Sequence, residues 1–157
     1  MADANEFKAN LKPFFEDHLR RYLADGNDGH YIDGSQFGGP EKTTTLLLKT
    51  IGRKSGQEYI TPLIYDRAGD EYVIIASNGG RDFDPAWFTN LTAKPGVRFQ
   101  VAEDRFEGSW RVAEGDERTK FWAQMANYYP PYNDYETRTD RLIPVVLLRA
   151  ERGVEAL

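Results

Sequence analysis

The chain has 157 residues, 40% of them hydrophobic and 13% aromatic, enough for one self-supporting core and too few for two substantial domains. Its 20 Lys and Arg against 25 Asp and Glu leave a net charge of −5, a balance that argues against nucleic acid as a partner. Zero cysteines exclude disulfides, iron–sulfur clusters, thiolate metal sites and cysteine nucleophiles, and with two histidines in the chain no metal site is expected.

Residues 6–23 read as an amphipathic helix. Phe7, Leu11, Phe14, Phe15, His18, Leu19 and Tyr22 follow the three–four spacing, while Lys8, Lys12, Glu16, Asp17 and Arg20 take the other faces, and Gly26 ends the run. Such a helix packs on a core, covers a pocket as a lid, or rests on a membrane surface. The N-terminus is charged every few residues and has no apolar signal core, and the longest apolar run, residues 142–148, is only seven residues and contains Pro144. Nothing there spans a bilayer, and the expected location is cytoplasmic, with any membrane association made through the N-terminal helix.

Residues 26–42 form a Gly-rich stretch with little periodicity, read as a long loop. Strands then dominate, at residues 44–50, 59–65 and 71–77, with Asp66-Arg67-Ala68-Gly69-Asp70 as a hairpin connection between the last two. Residues 97–101 and 106–112 alternate apolar and polar positions across a Glu103-Asp104 turn, and residues 142–148 suit a buried last strand. Asp84-Pro85 opens a helix that carries Trp87, Phe88 and Leu91 and closes at Lys94-Pro95-Gly96. A second helix starts near Asp116 with Phe121, Trp122, Met125, Tyr128 and Tyr129 on one stripe. About six strands with few helices between them point to a mainly β (α+β) fold: an antiparallel barrel with peripheral helices, in one domain covering residues 1–157.

Three segments carry chemistry. Gly52-Arg53-Lys54-Ser55-Gly56-Gln57 places two cations between glycines on a strand connection, a local positive island suited to phosphate or carboxylate. Its spacing is not that of a phosphate-binding Walker loop. Ile75-Ala76-Ser77-Asn78-Gly79-Gly80 ends a strand in small residues, against which a flat ring can lie. Tyr128-Tyr129-Pro130-Pro131-Tyr132-Asn133-Asp134-Tyr135 supplies four tyrosines around two prolines, apolar faces with polar tips that suit an aromatic wall. Tyr128 reads as a core residue, whereas Tyr132 and Tyr135 are hard to bury together. An anion site, a flat shelf and an aromatic wall together suit a phosphorylated planar cofactor, and no Gly-x-Gly-x-x-Gly follows a strand to favour a dinucleotide.

These residues carry a resemblance. From about Tyr22 to Arg149 the chain resembles the deazaflavin-dependent nitroreductase family, split β-barrel proteins that use coenzyme F420 (8-hydroxy-5-deazaflavin). The landmarks are Leu46-Leu47-Leu48, Gly52-Arg53-Lys54-Ser55-Gly56, Thr61-Pro62-Leu63, Ala76-Ser77-Asn78-Gly79-Gly80, Pro85-Ala86-Trp87-Phe88-Thr89-Asn90-Leu91, Ala93-Lys94-Pro95, Tyr129-Pro130-Pro131-Tyr132, Asp134-Tyr135, and Arg138-Thr139-Asp140-Arg141 before Ile143-Pro144-Val145.

The resemblance implies a split β-barrel that passes a hydride from reduced F420 to a small organic acceptor such as a quinone, nitroaromatic or enone. It implies that Arg53, Lys54 and Ser55 hold the phosphate and tail of the cofactor. Tyr59, Ile60, Thr61, Pro62, Leu63, Ile64 and Tyr65 would line the chain leading to the ring. Ile75, Ala76, Ser77 and Asn78 would underlie the ring, and Ala86, Trp87, Phe88, Thr89 and Asn90 would close around it. Ser77 and Tyr129 are the expected catalytic residues, with Tyr132, Tyr135 and Ile64 against the acceptor. Ile64 stands where nitro-reducing members place a tyrosine, Tyr59 where many relatives place a cation, and Asn78 where some carry lysine. The N-terminal helix is then expected to cover the acceptor side or rest on lipid without completing the barrel. An FMN-dependent oxidoreductase of the same fold and a non-catalytic F420 carrier are the alternatives.

Overall fold

The computed structural model describes the backbone of residues 4–157 and the side chains from residue 12 onward. Helix α1 (Ala4–Ala24) leads into α2 (Gly26–Gly29), β1 (Tyr31–Ile32) and a 3-10 turn at Gly34–Phe37. Strands β2 (Thr43–Ile51), β3 (Glu58–Ile64), β4 (Asp66–Ala68) and β5 (Glu71–Ile75) follow, then a 3-10 turn at Asn78–Gly80 and α3 (Ala86–Ala93). The chain ends in β6 (Val97–Val101), β7 (Asp104–Val112), α4 (Gly115–Tyr128), α5 (Pro131–Thr137) and β8 (Val145–Gly153). The fold class read from the sequence holds: an antiparallel, strongly curled sheet with helices around it.

The sheet runs β1-β2-β6-β7-β8-β5-β4, and β3 pairs with β2. β3 and β4 are separated by Tyr65 alone, yet β3 pairs with β2 while β4 pairs with β5. One extended segment therefore ties the two ends of the sheet together and closes the curl. Residues 66–68 belong to that closing strand, so the hairpin turn shrinks to Gly69 and Asp70, with Gly69 at φ 60. Tyr65 is the corner. Its N–H donates to Thr44 O at 3.1 Å, its carbonyl accepts from Thr44 Oγ1 at 2.6 Å, and its hydroxyl lies 2.6 Å from His30 Nε2.

Strand alternation explains the two cores. Leu46, Leu48, Tyr72, Ile74, Phe99, Val146 and Leu148 point into the barrel with Trp87 and Leu91 of α3, while Val73, Ile75, Val145 and Leu147 face outward under α4 and α5. β5 and the first half of β8 are thus buried on both faces, which is why they read as unbroken apolar runs. β8 begins only after Pro144 and continues to Gly153, so residues 142–144, read from the sequence as part of this strand, fall outside it.

The Gly-rich stretch is more ordered than a loop. Asp25 caps α2 by accepting from Asn27 and Asp28 N–H groups, and Asp33 does the same for Ser35. Gly29 is required there: a Cβ would sit 2.2 Å from Tyr22 Cα.

The N-terminal helix also departs from expectation, because its last turns are core structure. Tyr22 is fully buried, donating to Thr45 O at 2.9 Å and accepting from Ala102 N–H at 2.9 Å. His18 is buried against Gly29 O at 2.8 Å, and burial pushes its imidazole pKa down. Phe14 packs edge-on against Phe37, with ring centroids 5.5 Å apart. The side chains of Phe7 and Leu11 lie outside the described residues. Tyr22→Phe leaves the Ala102 N–H without its buried acceptor and should lower unfolding free energy by about 1–3 kcal/mol in urea titration; a variant as stable as wild type would show that α1 does not support the barrel.

Candidate functional site

The β2–β3 connection folds into a tight cationic turn. Gly52 N–H donates to Gln57 O at 2.7 Å, Gly56 N–H returns to Gly52 O at 2.9 Å, and Gln57 N–H donates to Ser55 Oγ at 3.1 Å. A Cβ at Gly52 would meet Ser55 Oγ at 2.6 Å and the Tyr59 ring at 2.8 Å, so a side chain there displaces both from the turn. Arg53, Lys54 and Ser55 are exposed. The turn is anchored to α3 by Asn90, which is buried and whose Oδ1 accepts from both the backbone N–H and the guanidinium of Arg53, each at 3.2 Å. Between turn and helix lies an open cleft of about 370 Å³, lined by Thr50, Gly52, Arg53, Lys54, Ser55, Tyr59, Thr61, Ala86, Trp87 and Asn90.

A second open cleft of about 610 Å³ adjoins the first, because Arg53 and Ala86 line both. Asp82, Phe83, Asp84, Thr89 and Arg141 complete it. Behind it, β5 runs out through buried Ile75, Ala76 and Ser77 into the Asn78–Gly80 turn, where Asn78 and both glycines take positive φ. Arg141 holds this shelf. It donates to Ala76 O at 3.2 Å, Ser77 O at 2.8 Å and Arg81 O at 2.8 Å, and pairs with Asp84 Oδ1 at 2.9 Å. Asp84 is therefore spent on Arg141 rather than on capping α3, whose N-cap is Pro85 without a side-chain bond. Sequence reading missed Arg141 as a site residue, although it stands in the Arg138-Thr139-Asp140-Arg141 run and Asp84 is its natural counter-charge.

The structure brings together eight residues expected at the cofactor: Arg53, Lys54, Ser55, Tyr59, Thr61, Ala86, Trp87 and Asn90 all line the first cleft, with Thr89 in the second. It separates others. Ile60, Pro62 and Ile64 lie on the opposite face of β3, with Ile64 against the outer core; Leu63 and Phe88 pack on the barrel core, and Tyr65 is the corner. Asn78 turns to donate its Nδ2 to Phe83 O at 3.1 Å. Gly52, read as part of the anion turn, lines the first cleft as well, and Thr50 was missed as a lining residue.

The tyrosine segment is folded differently from an open wall. Tyr129, Tyr132 and Tyr135 pack into the outer core between α4, α5 and the sheet, because residues 131–137 form a helix rather than an open turn. Tyr129 and Tyr132 meet edge-on at 5.2 Å, and Tyr132 and Tyr135 at 6.1 Å, so the latter two share one cluster after all. Tyr129 also lies against Gly39, and Tyr135 backbone against Gly80. Burial pushes the phenol pKa of all three up. Tyr128 is half-buried, its hydroxyl accepting from Thr44 N–H at 2.8 Å.

Comparison with known proteins bears on this geometry. Residues 25–150 match the family described as F420H(2)-dependent quinone reductase. The chain is similar to an F420H(2)-dependent quinone reductase of Mycobacterium tuberculosis, 36% identical over 126 residues that cover 78% of this chain and 80% of the relative. Among solved structures it is similar to the F420-H2 dependent reductase FDR-A, at 37% identity and a TM-score of 0.61, covering 67% of this chain and 93% of that one. A structure described as a domain-swapped dimer matches at 31% identity and a TM-score of 0.64, over 87% of this chain and 98% of that one.

Arg141→Lys should loosen the shelf, since one ammonium cannot replace a guanidinium holding three carbonyls and a carboxylate. Hydrogen exchange should speed up about tenfold or more across residues 78–84 while β2 and β6 stay protected; unchanged exchange there would show that Arg141 does not hold the shelf.

Proposed function

Because the chain belongs to the F420H(2)-dependent quinone reductase family, we propose that the cleft between the 52–57 turn and α3 holds coenzyme F420 and that the adjoining cleft admits a quinone-type acceptor. Family membership makes the protein an oxidoreductase that uses F420; the placement of roles on individual residues is our reading. One observation carries it: a tight turn between Gly52 and Gly56 presents Arg53, Lys54 and Ser55 at the mouth of a cleft whose other side is α3.

The donor set suits an anionic, planar group. Arg53 offers a fork for phosphate oxygens, Lys54 a mobile point charge and Ser55 a hydroxyl. Asn90 fixes where the Arg53 fork points. Ala86, exposed at the start of α3, supplies apolar surface against which a ring lies, and the buried Trp87 fixes the helix behind it. When bound, F420 supplies a hydride from a ring carbon, and the protein contributes orientation and electrostatics.

We assign to Ser77, two residues past β5, the donation toward charge developing on the acceptor; its carbonyl is held by Arg141, which lines the second cleft. Tyr129 belongs to packing instead. It is 5% exposed within the outer core, and we read it as a packing residue in place of the catalytic role that the resemblance implies.

Single-turnover oxidation of F420H2 by a soluble benzoquinone tests this reading. Replacing Arg53 and Lys54 together by alanine should weaken F420 affinity at least tenfold at low salt and less at high salt. Ser77→Ala should slow hydride transfer about tenfold with affinity retained, and Tyr129→Phe should leave both within about twofold. Unchanged affinity in the double variant would overturn the assignment of the cleft.

A further inference from the structure

Strand β2 carries four threonines, and three of them are hydrogen-bonded through their hydroxyls. Thr43 Oγ1 donates to Pro40 O at 2.7 Å, Thr44 Oγ1 to Tyr65 O at 2.6 Å, and Thr45 Oγ1 to Gly29 O at 3.0 Å. Thr50 differs. It is fully buried, its hydroxyl has no partner, and it lines the first cleft. Its strand position does not explain the hydroxyl, because valine has the same shape and an equal or better fit to a sheet. A buried hydroxyl without a partner costs free energy that a methyl group would not.

A neighbouring group is in a similar position. Asn90 is 4% exposed and lines the same cleft. Its Oδ1 faces two donors of Arg53, which fixes the amide orientation and directs Nδ2 the other way. No protein acceptor for that Nδ2 is present among the described residues. The residues around the cleft thus include one with an unpartnered hydroxyl and one with an amide N–H free of protein acceptors among the described residues, both uncharged and both more buried than the cations of the turn.

We infer that Thr50 is a ligand-binding residue and that, with Asn90, it forms an inner, uncharged subsite that hydrogen-bonds an oxygen of the phosphorylated chain of the cofactor. The inference rests on the F420 reading above and deepens it. The outer cations attract an anion but discriminate poorly, since exposed charges act at a distance and are screened by salt. A buried hydroxyl and amide reject any ligand that leaves them without an oxygen partner. Phosphate oxygens and chain hydroxyls both meet that requirement.

Fluorescence titration with oxidised F420, paired with thermal unfolding of the unliganded protein, tests this. Thr50→Val should weaken F420 binding about tenfold while its unliganded Tm stays equal to wild type or rises. Thr50→Ser, which keeps the hydroxyl, should bind within about twofold of wild type. Inorganic phosphate as a competitor separates the two oxygen sources: competition weakened in Thr50→Val assigns the contact to a phosphate oxygen, and unchanged competition assigns it to the chain. Wild-type F420 affinity in Thr50→Val would overturn the inference and leave the cofactor reading standing, as would equal losses in Thr50→Val and Thr50→Ser, which would trace the effect to packing. A wild-type protein that does not bind F420 would overturn both.

Discussion

The cleft depends on one buried amide. Asn90 sits on α3 inside the protein, and its single carbonyl oxygen takes two hydrogen bonds from Arg53, one from the backbone and one from the side chain. Those bonds couple a surface turn to a helix whose Trp87 and Leu91 are embedded in the barrel. Without that tie the turn would be an exposed basic loop whose cations sample many directions. With it, charge, shelf and apolar wall keep fixed relations, which is the condition for placing a reacting ring to within a fraction of an ångström.

The barrel supplies the rigidity behind this arrangement. β2 pairs with β1, β3 and β6, so the strand that delivers the turn is hydrogen-bonded along both edges. The closing segment through Tyr65 fixes β3, and with it Tyr59 and Thr61 on the cleft face. On the far side, Arg141 ties the end of β5 to the loop before α3, so both walls of the second cleft answer to one guanidinium. Its surroundings are largely protein carbonyls, and burial lowers its pKa while Asp84 opposes that shift. Asn90 and Arg141 thus tie turn, shelf and helix to one another, while Trp87, Leu91 and Ala76 anchor helix and shelf in the barrel core.

Much of this was legible in the sequence. Alternation located the long strands, and glycine around Arg53 and Lys54 marked the anion turn, because both signals are local. The family resemblance placed eight residues that do meet in one cleft. What escaped depended on distant partners. β4 and α5 are short, and their existence follows from pairing with β5 and from packing on the outer core. The tyrosines near Pro130 read as an exposed wall because sequence does not reveal that α5 folds them under. Thr50 looked like any β-branched strand residue, and only its lack of a partner sets it apart from Thr43, Thr44 and Thr45. Arg141 and Asp84 are 57 positions apart, so their pairing is invisible until the fold joins them.

A crystal structure of the protein with oxidised F420 would locate the cofactor. Density for a phosphate is expected among Arg53, Lys54 and Ser55, continuing past Thr50 and Asn90 to a ring lying along the start of α3 at Ala86. A cofactor bound elsewhere on the barrel, with the 52–57 turn making no contact to its phosphate, would contradict this placement.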